Sequence, residues 1–515
     1  MSESTAETTR ANSEKSQNDV TREWTIIVFF AGESRLADEM VYQLKDLKRL
    51  DPDPDRVAVV AEFGSRKVKK RDVTATNLAT PRRFHLVTDS EHPPGSVVMN
   101  LVEVEKPART PVTFADDLVD FILWAIFNFR AKKYMVVFGG DGGGVLSDFL
   151  PTRGKSPKSI RPRDLSTIFR RVRGAVRKNG GRFDFKIDII GLDACLMSMA
   201  EICYGLREYG NYLISSEGNE DLLGWPYADV FKILKPYPAT DAETLASSIV
   251  DGYNAYYLDY ALIGDASANL SAVRLERMEH LAAAVKKFCT AANRLLSDYE
   301  NFDQLPLPQQ IFVGLLIHAH WVAQSYREDQ YTDIGDFFMT LRSETVRVLE
   351  TQSALSDLHA IVDCCDGVLE ALGLTHDSTR SAIVKSCHVG VDYQYSTGLA
   401  VYFPWSHVDE DYFVDFEVEP DTEDPETTNR GRIEAFARAT GWGNFLSNYV
   451  RLTRRPPKSG LPNDSVPERI AFFHRDPPKG RGTLPLEVQR AKNPPDEWNI
   501  SSCVIKPLLE SLAEE

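Results

Sequence analysis

Short apolar runs alternate along the chain with longer stretches in which apolar positions recur at helical spacing. The runs rich in β-branched and aromatic residues are the predicted strands, at residues 24–30, 57–63, 84–87, 134–138, 187–190, 212–216 and 398–403. The predicted helices between them include residues 36–50, 114–129, 163–176 and 197–206. Strands that alternate with helices predict an α/β fold with a mostly parallel β-sheet flanked by helices.

The pattern divides the chain into four segments. Residues 1–22 are rich in Ser, Thr and Glu and predict a disordered N-terminal tail. Residues 23–240 carry the alternating pattern of a core domain. Residues 241–455 add a largely helical region with a returning strand and a final helix over 432–449, which complete the same domain. Residues 456–515 contain ten of the 28 prolines and predict an extended C-terminal extension.

Composition narrows the classes of function. The net charge of -16 argues against direct binding of nucleic acid, because such surfaces are usually basic. No apolar run reaches the roughly 18 residues that span a bilayer, so a membrane partner is not predicted. The N-terminus also lacks the apolar segment of a secretory signal. The seven cysteines have no disulfide-scaffold spacing, and they predict free thiols and a cytoplasmic location.

One candidate for chemistry is Cys195, which follows an apolar strand and precedes a predicted helix. A helix N-terminus carries partial positive charge and free N–H groups, which lower the pKa of a thiol and can bind an oxyanion. A nucleophilic cysteine fits this position. A buried, inert cysteine is the alternative.

A second candidate is the run 139–144, where five glycines surround Asp141 after an apolar strand. Backbone so rich in glycine approaches another group closely or adopts positive φ. A phosphate loop is an alternative, but the run lacks the Gly-Lys-Ser/Thr ending and the full GxGxxG context. Because parallel strands end at one edge of a sheet, we expect this run, Cys195 and the polar loop 215–221 to lie together.

The segment GLDACLMSMAE at 191–201 resembles the cysteine motif of the clostripain-type, caspase-like peptidases. Further blocks resemble later segments of that family in the same order: SSEGNEDLLGWPY at 215–227, DQYTDIGDF at 329–337, TGLAVYFP at 397–404 and TGWGNFLSNY at 440–449. The resemblance runs from about residue 24 to residue 449. It implies a caspase-like fold, a catalytic Cys–His dyad and cleavage of proteins after Arg or Lys.

The resemblance also implies roles for individual residues. Cys195 is the implied nucleophile, and the backbone N–H groups of Gly142 and Cys195 form the implied oxyanion hole. Asp193 matches the carboxylate that recognises the basic side chain, since carboxylates pair well with guanidinium and ammonium groups. A simple turn aspartate is the alternative for Asp193. Further predicted pocket residues are Ser216, Glu217 and Asp221.

Asp141 stands where the family has its catalytic histidine. A carboxylate with a pKa of about 4 is too weak a base for a thiol with a pKa of about 8.5, and its charge opposes thiolate formation. Three interpretations stay open: an inactivating change introduced into the chain, a natural pseudo-peptidase, or another histidine that reaches the site. None of the ten histidines has the family's local context; those near predicted elements are His85, His318, His320 and His388.

Two further predictions concern loops. Some family members are activated by self-cleavage at a basic residue, so Arg153 or Lys155 is a candidate cleavage site in an active form. A solvated basic loop is the alternative. Some clostripain-like enzymes use calcium, and the acidic stretch Asp409–Asp424 is a candidate site, although its spacing matches no EF-hand loop.

The sequence therefore predicts a cysteine endopeptidase scaffold for basic substrates that is inactive in this form. The rival prediction is a pseudo-peptidase that acts as a peptide-binding or regulatory partner protein. Related caspase-like peptidases cleave partner proteins in bacterial defence, including antiviral defence, and in programmed cell death. That role is transferred to this chain by fold-level analogy alone.

Overall fold

The computed structural model describes residues 22–32, 34–64, 82–88, 99–105, 113–152, 159–264, 267–326, 330–375, 381–414 and 435–453. They form two compact units. The first comprises the described parts of Met1–Met197, Glu208–Ser216 and Glu220–Tyr260, and the second those of Ser198–Arg207, Glu217–Asn219 and Ala261–Glu515. Residues 1–21 of the predicted tail and the predicted extension 456–515 lie outside the described residues. The predicted division after residue 240 stays a prediction.

Seven strands of β-sheet lie in the first unit. They are β1 (Arg22–Phe30), β2 (Val57–Phe63), β3 (Arg82–Thr88), β4 (Met99–Glu105), β5 (Ala131–Gly139), β6 (Ile187–Asp193) and β7 (Gly210–Ser215). Their spatial order is β7-β6-β5-β1-β2-β3-β4. The pairs β1–β2, β1–β5, β5–β6 and β6–β7 are parallel, whereas β2–β3 and β3–β4 are antiparallel. The predicted α/β class with a mostly parallel sheet is confirmed.

β1 is buried on both faces, as expected for a strand between two parallel neighbours. Its polar Thr25 is satisfied, because the hydroxyl donates to the main-chain carbonyl of Phe129 at 2.7 Å. At its carboxyl end Phe30 is in register with Gly139, and Gly139 is in register with Asp193. The ends of β1, β5 and β6 therefore lie in one row, and the loops that follow them begin side by side.

The described helices are, in chain order, α1 (Ala37–Asp46), α2 (Phe114–Asn128), α3 (Asp164–Lys178), α4 (Ala200–Leu206), α5 (Tyr227–Val230), α6 (Ala242–Gly264), α7 (Met278–Leu296), α8 (Leu307–Val322), α9 (Ile334–Thr351), α10 (Asp357–Leu372), α11 (Asp411–Val414), α12 (Phe436–Thr440) and α13 (Trp442–Thr453). α2 packs against α3 and against β1 and β5. Its N-terminus is fixed by a capping box between Thr113 and Asp116. Across the described residues, every helix is too short or too polar to span a membrane.

The second unit contains the remaining described strands: β8 (Ala268–Arg274), β9 (Ser325–Tyr326), β10 (Tyr331–Asp333), β11 (Ile383–Val389) and β12 (Ala400–Tyr402). β8 and β11 pair antiparallel, and β9, β10 and β12 form an antiparallel sheet. The prediction of a largely helical stretch missed β8, because its buried polar residues Asn269 and Ser271 interrupt the apolar pattern. Their hydrogen bonds to Ser396 and to the carbonyl of Gly398 offset that burial.

Two predicted helices have different bounds in the structure. The helix predicted from Met197 begins only at Ala200, because Met199 is extended and forms an isolated bridge with Ala400. The helix predicted over 432–449 is broken at Gly441, whose φ of +75° separates α12 from α13. A left-handed residue of this kind is a common end for a helix, and glycine adopts it without strain.

Candidate active site

Cys195 lies in the turn directly after β6, at the row where β1, β5 and β6 end. The predicted helix N-terminus is wrong, because α4 begins only at Ala200. The thiol is partly exposed. Its pKa is raised to about 12, first by burial and then by the charge of Glu220, with a smaller contribution from Asp141. The turn thus presents a reachable thiol that its surroundings keep protonated at neutral pH.

The loop after β7 is held against the nucleophile through Glu220. The main-chain N–H of Glu220 donates to Cys195 Sγ at 3.3 Å. The thiol lies 3.9 Å from the carbonyl oxygen of the same residue, to which it donates. The N–H bond favours the thiolate and lowers the pKa of Cys195, but burial outweighs it. Glu220 therefore positions the sulfur through its backbone.

Asp141 follows β5 in the glycine-rich run, and its carboxylate is bound by Arg35. The guanidinium donates from Nε to Oδ2 at 2.6 Å and from Nη2 to Oδ1 at 2.8 Å. This bidentate geometry is that of a strong ion pair. Arg35 lowers the pKa of Cys195, in opposition to Asp141. Both carboxylate oxygens are thus occupied by a cation within electrostatic range of the thiol.

The backbone at Gly142 packs on the turn that carries Cys195. A methyl group added to Gly142 would lie 2.5 Å from the carbonyl oxygen of Cys195 and 3.1 Å from Ala194 Cβ. So close an approach of two backbones requires glycine. The structure brings Gly142 and Cys195 together as expected, and their role as oxyanion donors stays a prediction.

Asp193 is the last residue of β6, is 3% exposed, and has both carboxylate oxygens hydrogen-bonded. Oδ1 accepts from the main-chain N–H of Trp225 at 3.0 Å. Oδ2 accepts from Gln43 Nε2 at 2.9 Å and from the Tyr227 hydroxyl at 2.8 Å. Burial raises the pKa of Asp193 to about 6, and the hydrogen bonds from Tyr227, Trp225 and Gln43 oppose this rise. A buried carboxylate with uncharged donors thus lies two residues before the thiol.

The other predicted pocket residues are placed differently. Ser216 is fully buried at the end of β7. Asp221 Oδ1 accepts a main-chain N–H of its own loop at 3.0 Å. Glu217 belongs to the second unit, where its side chain is buried and the neighbouring Asp333 carboxylate acts on it electrostatically. A substrate contact by these residues stays a prediction.

Glu217→Gln is expected to make the stability of the chain less dependent on pH. Burial and the neighbouring Asp333 carboxylate raise the pKa of Glu217 well above its unfolded value of 4.5. The folded state therefore binds more protons than the unfolded state above about pH 4.5, and the free energy of unfolding falls as pH rises through this window. Glutamine removes that loss. Urea unfolding at about pH 5.5 and about pH 8.5 should show a smaller difference between the two free energies of unfolding than in the unchanged chain.

The matched control for this measurement is Glu350→Gln, the same substitution at an exposed position of α9. It should leave the pH dependence of unfolding as it is in the unchanged chain. An equal pH dependence in the Glu217→Gln and Glu350→Gln proteins would contradict the assignment of a proton to Glu217.

Several residues of the site were not found from the sequence. Trp225, Tyr227 and Glu220 lie within the block at 215–227 that the sequence singled out, but without a role. Arg35 and Gln43 carried no signal except their place after the carboxyl end of β1. They enter the site only because β1 lies beside β5, which in turn lies beside β6.

The histidines singled out from the sequence have other surroundings. His85 packs on the ring of Phe129, with centroids 4.6 Å apart. Burial lowers the pKa of His318 to about 4 and that of His320 to about 3. His388 is exposed on β11. The buried members of this set are uncharged at neutral pH and serve packing.

Two predicted features fall on residues that the structure does not describe. These are the candidate self-cleavage residues Arg153 and Lys155 and most of the acidic stretch Asp409–Asp424. Within the described ranges, no group of three or more His, Cys, Asp or Glu side chains is placed to hold a metal ion.

Comparison with known structures supports the fold. A secreted C11 cysteine protease from Bacteroides thetaiotaomicron, in complex with an irreversible peptide inhibitor, is similar with a TM-score of 0.53 and 16% identity, over 82% of this chain and 99% of that chain. An inactive zymogen C11 protease from Parabacteroides distasonis has a TM-score of 0.47 and 15% identity, over 82% of this chain and 98% of that chain. The first of these has the same overall fold.

The comparison with protein families gives the assignment. No curated protein sequence matches the chain. The model of the clostripain family matches residues 102–415, more than half of the 515 residues. This range contains both the Asp141 run and the turn of Cys195. The chain therefore belongs to the clostripain family of cysteine peptidases, whose substrates are peptides and proteins.

Proposed function

We propose that this chain is a caspase-like cysteine endopeptidase scaffold for bonds that follow Arg or Lys, and that the present form has little or no turnover. One observation carries the proposal. The turn after β6 combines a partly exposed thiol at Cys195 with a buried carboxylate at Asp193, and an Arg35–Asp141 ion pair acts electrostatically on the thiol.

The preference for a basic side chain is supported by the charges around Asp193. Its hydrogen-bonding partners in the described structure are Gln43, Trp225 and Tyr227, none of which is a cation. A guanidinium or ammonium group would bring the positive charge that this buried carboxylate lacks. Charged pairs of this kind, once desolvated, discriminate strongly against neutral ligands.

Loss of turnover is supported by the surroundings of Asp141, which we infer to stand at the position of the family's histidine. Its two oxygens accept hydrogen bonds from Arg35, whereas the Cys195 thiol is hydrogen-bonded to the backbone of Glu220. Its negative charge raises the pKa of Cys195 further. An ionised carboxylate also has no proton to give to the leaving amine, which a general acid must supply.

A pseudo-peptidase is the second candidate, and the Arg35–Asp141 pair favours it. A bidentate ion pair stabilises the aspartate where it stands, which suits a chain that captures a basic peptide without cutting it. In this form the chain would serve as a regulatory partner in a defence or cell-death protease cascade. The free thiols of the described cysteines fit a reducing compartment such as the cytoplasm.

The test compares the unchanged chain with Cys195→Ala. Peptide and ester substrates with Arg, Lys or neutral citrulline before the cleaved bond are assayed, together with binding of Nα-acetyl-L-arginine amide and of its citrulline analogue. We expect no turnover above that of Cys195→Ala, and binding of the arginine compound only. Turnover that Cys195→Ala abolishes would refute the claim of inactivity. Equal binding of both compounds, or of neither, would refute the basic pocket.

A further inference from the structure

We propose that Asp141 is a second receptor for a basic side chain, and that Arg35 occupies this receptor until a peptide displaces it. The inference deepens the proposed function and rests on it, because a peptide that binds Asp193 through one basic side chain brings its neighbouring side chain to the same edge of the sheet. The ligand is therefore a peptide with two adjacent basic residues.

The contact between Arg35 and Asp141 shows how this carboxylate holds a guanidinium. Nε of Arg35 donates to Oδ2 at 2.6 Å, and Nη2 donates to Oδ1 at 2.8 Å. Two parallel N–H···O bonds of this kind are the geometry in which carboxylates recognise arginine, in ligands as well as within a chain. Asp141 thus has the arrangement of an arginine receptor, with an arginine of its own chain bound.

The two partners differ in how firmly they are held. The side chain of Arg35 is 58% exposed, and its hydrogen bonds in the described part of the chain go to Asp141. The side chain of Asp141 is only 15% exposed, and its main-chain carbonyl accepts from the N–H of Leu150 at 2.8 Å. An ion pair with an exposed arginine stabilises a protein little, because fixing a long side chain costs entropy. The arginine can therefore leave while the carboxylate stays in place.

Asp141 lies next to the strand end that carries Asp193. The N–H of Gly140, the residue before Asp141, donates to the main-chain carbonyl of Asp193 at 3.1 Å. Gly139 is in register with Asp193 across β5 and β6, and neighbouring strands lie about 4.8 Å apart. The two carboxylates thus belong to adjacent strand ends, within reach of neighbouring side chains of one peptide.

The exchange needs no proton transfer. One basic group replaces another on the same carboxylate, so the charge of Asp141 stays compensated and the Arg35 side chain passes into solvent. Arg35 therefore competes with the ligand, and its contact with Asp141 is subtracted from the affinity. The net charge of -16 adds a long-range attraction for a peptide that carries two positive charges.

The test is isothermal titration of the full chain, at one ionic strength, with Nα-acetyl-Arg-Arg amide and with its two single-citrulline analogues. Arg35→Ala should bind the Arg-Arg compound about fivefold more tightly than the unchanged chain does, the upper end for an exposed pair, because the geometry is bidentate. Its affinity for the tighter-binding of the two analogues should stay the same. In the Asp141→Asn background, Arg35→Ala should give no gain for any of the three compounds.

Arg182→Ala is the matched control. Arg182 is another exposed arginine, paired with Asp184 just before β6, at the end of that strand opposite to the site. Its removal changes the net charge by the same amount as Arg35→Ala. We expect it to leave the affinities for all three compounds as they are in the unchanged chain.

The outcomes separate this inference from the proposed function. No gain on Arg35→Ala, or an equal gain in the Asp141→Asn background, would overturn Asp141 as a receptor and leave the Asp193 pocket standing. The pocket itself is judged by the preference of the unchanged chain for Nα-acetyl-L-arginine amide over its citrulline analogue. Failure of that preference would overturn the pocket, and the recognition of two adjacent basic residues with it.

Discussion

Asp141→His is expected to turn the chain into a working peptidase, with kcat/KM for Arg and Lys substrates at least about 100-fold above that of the unchanged chain. The substitution acts on three obstacles at once. It removes a negative charge that raises the pKa of Cys195. It supplies a base whose pKa of about 6.5 is suited to sharing the thiol proton. The resulting imidazolium can then protonate the leaving amine.

Arg35 is expected to limit the activity of the Asp141→His protein. In the unchanged chain its guanidinium pairs with Asp141, and it loses that partner when the carboxylate is replaced. A free cation beside the new imidazole would lower the pKa of the imidazole and disfavour the imidazolium. We therefore expect Asp141→His combined with Arg35→Ala to be more active than Asp141→His alone. Hydrolysis of Arg and Lys peptides, measured from about pH 6 to about pH 9, compares the two.

The control for this activity is Cys195→Ala in the same background, which should abolish it. Asp141→Asn removes the charge without supplying a base and should stay inactive. If neither histidine variant cleaves, while the arginine compound still binds, the chain is a binding protein whose oxyanion site has been lost. Such a result would decide for the pseudo-peptidase.

Asp193→Asn is expected to remove the preference for basic residues. In the Asp141→His background, kcat/KM for Arg substrates should fall by about 10²- to 10³-fold, equivalent to about 3–4 kcal/mol. In the unchanged chain, binding of Nα-acetyl-L-arginine amide should fall to the level of the citrulline analogue. The reason is that the amide keeps the shape of the side chain but cannot ionise, so a buried guanidinium would have no charge partner there.

A control from the same strand separates this effect from loss of folding. Asp188 lies on β6 and accepts the main-chain N–H of Tyr134 at 2.9 Å, at the end of the strand opposite to the site. Asp188→Asn should reduce stability without changing the ratio of Arg to citrulline turnover. Retention of that ratio in Asp193→Asn as well would show that Asp193 is not the specificity carboxylate.

Much of the fold could be predicted from the sequence because it depends on local patterns. The run Trp24–Phe30 is apolar except for Thr25 because β1 is covered on both sides, and such runs predict buried strands. β8 was missed because its polar residues are satisfied by partners more than a hundred positions away, such as Ser396 for Asn269. No local pattern contains that information. The helix expected from Met197 failed for a similar reason, since Met199 is held extended by a bridge to Ala400.

By itself the sequence determined the alternation of strands and helices, the position of the cysteine after a strand, and the aspartate in the glycine-rich run. These features follow from hydrophobic periodicity and from motifs that are contiguous in the chain. The tertiary structure alone decided what surrounds them. It brought Arg35 from the loop after β1 onto Asp141, and Gln43 from α1 onto Asp193. It also placed the main-chain N–H of Glu220 against the sulfur of Cys195. Distant segments meet there because the order of parallel strands places their carboxyl ends side by side. The pKa values that govern the chemistry depend on that burial and on those neighbours.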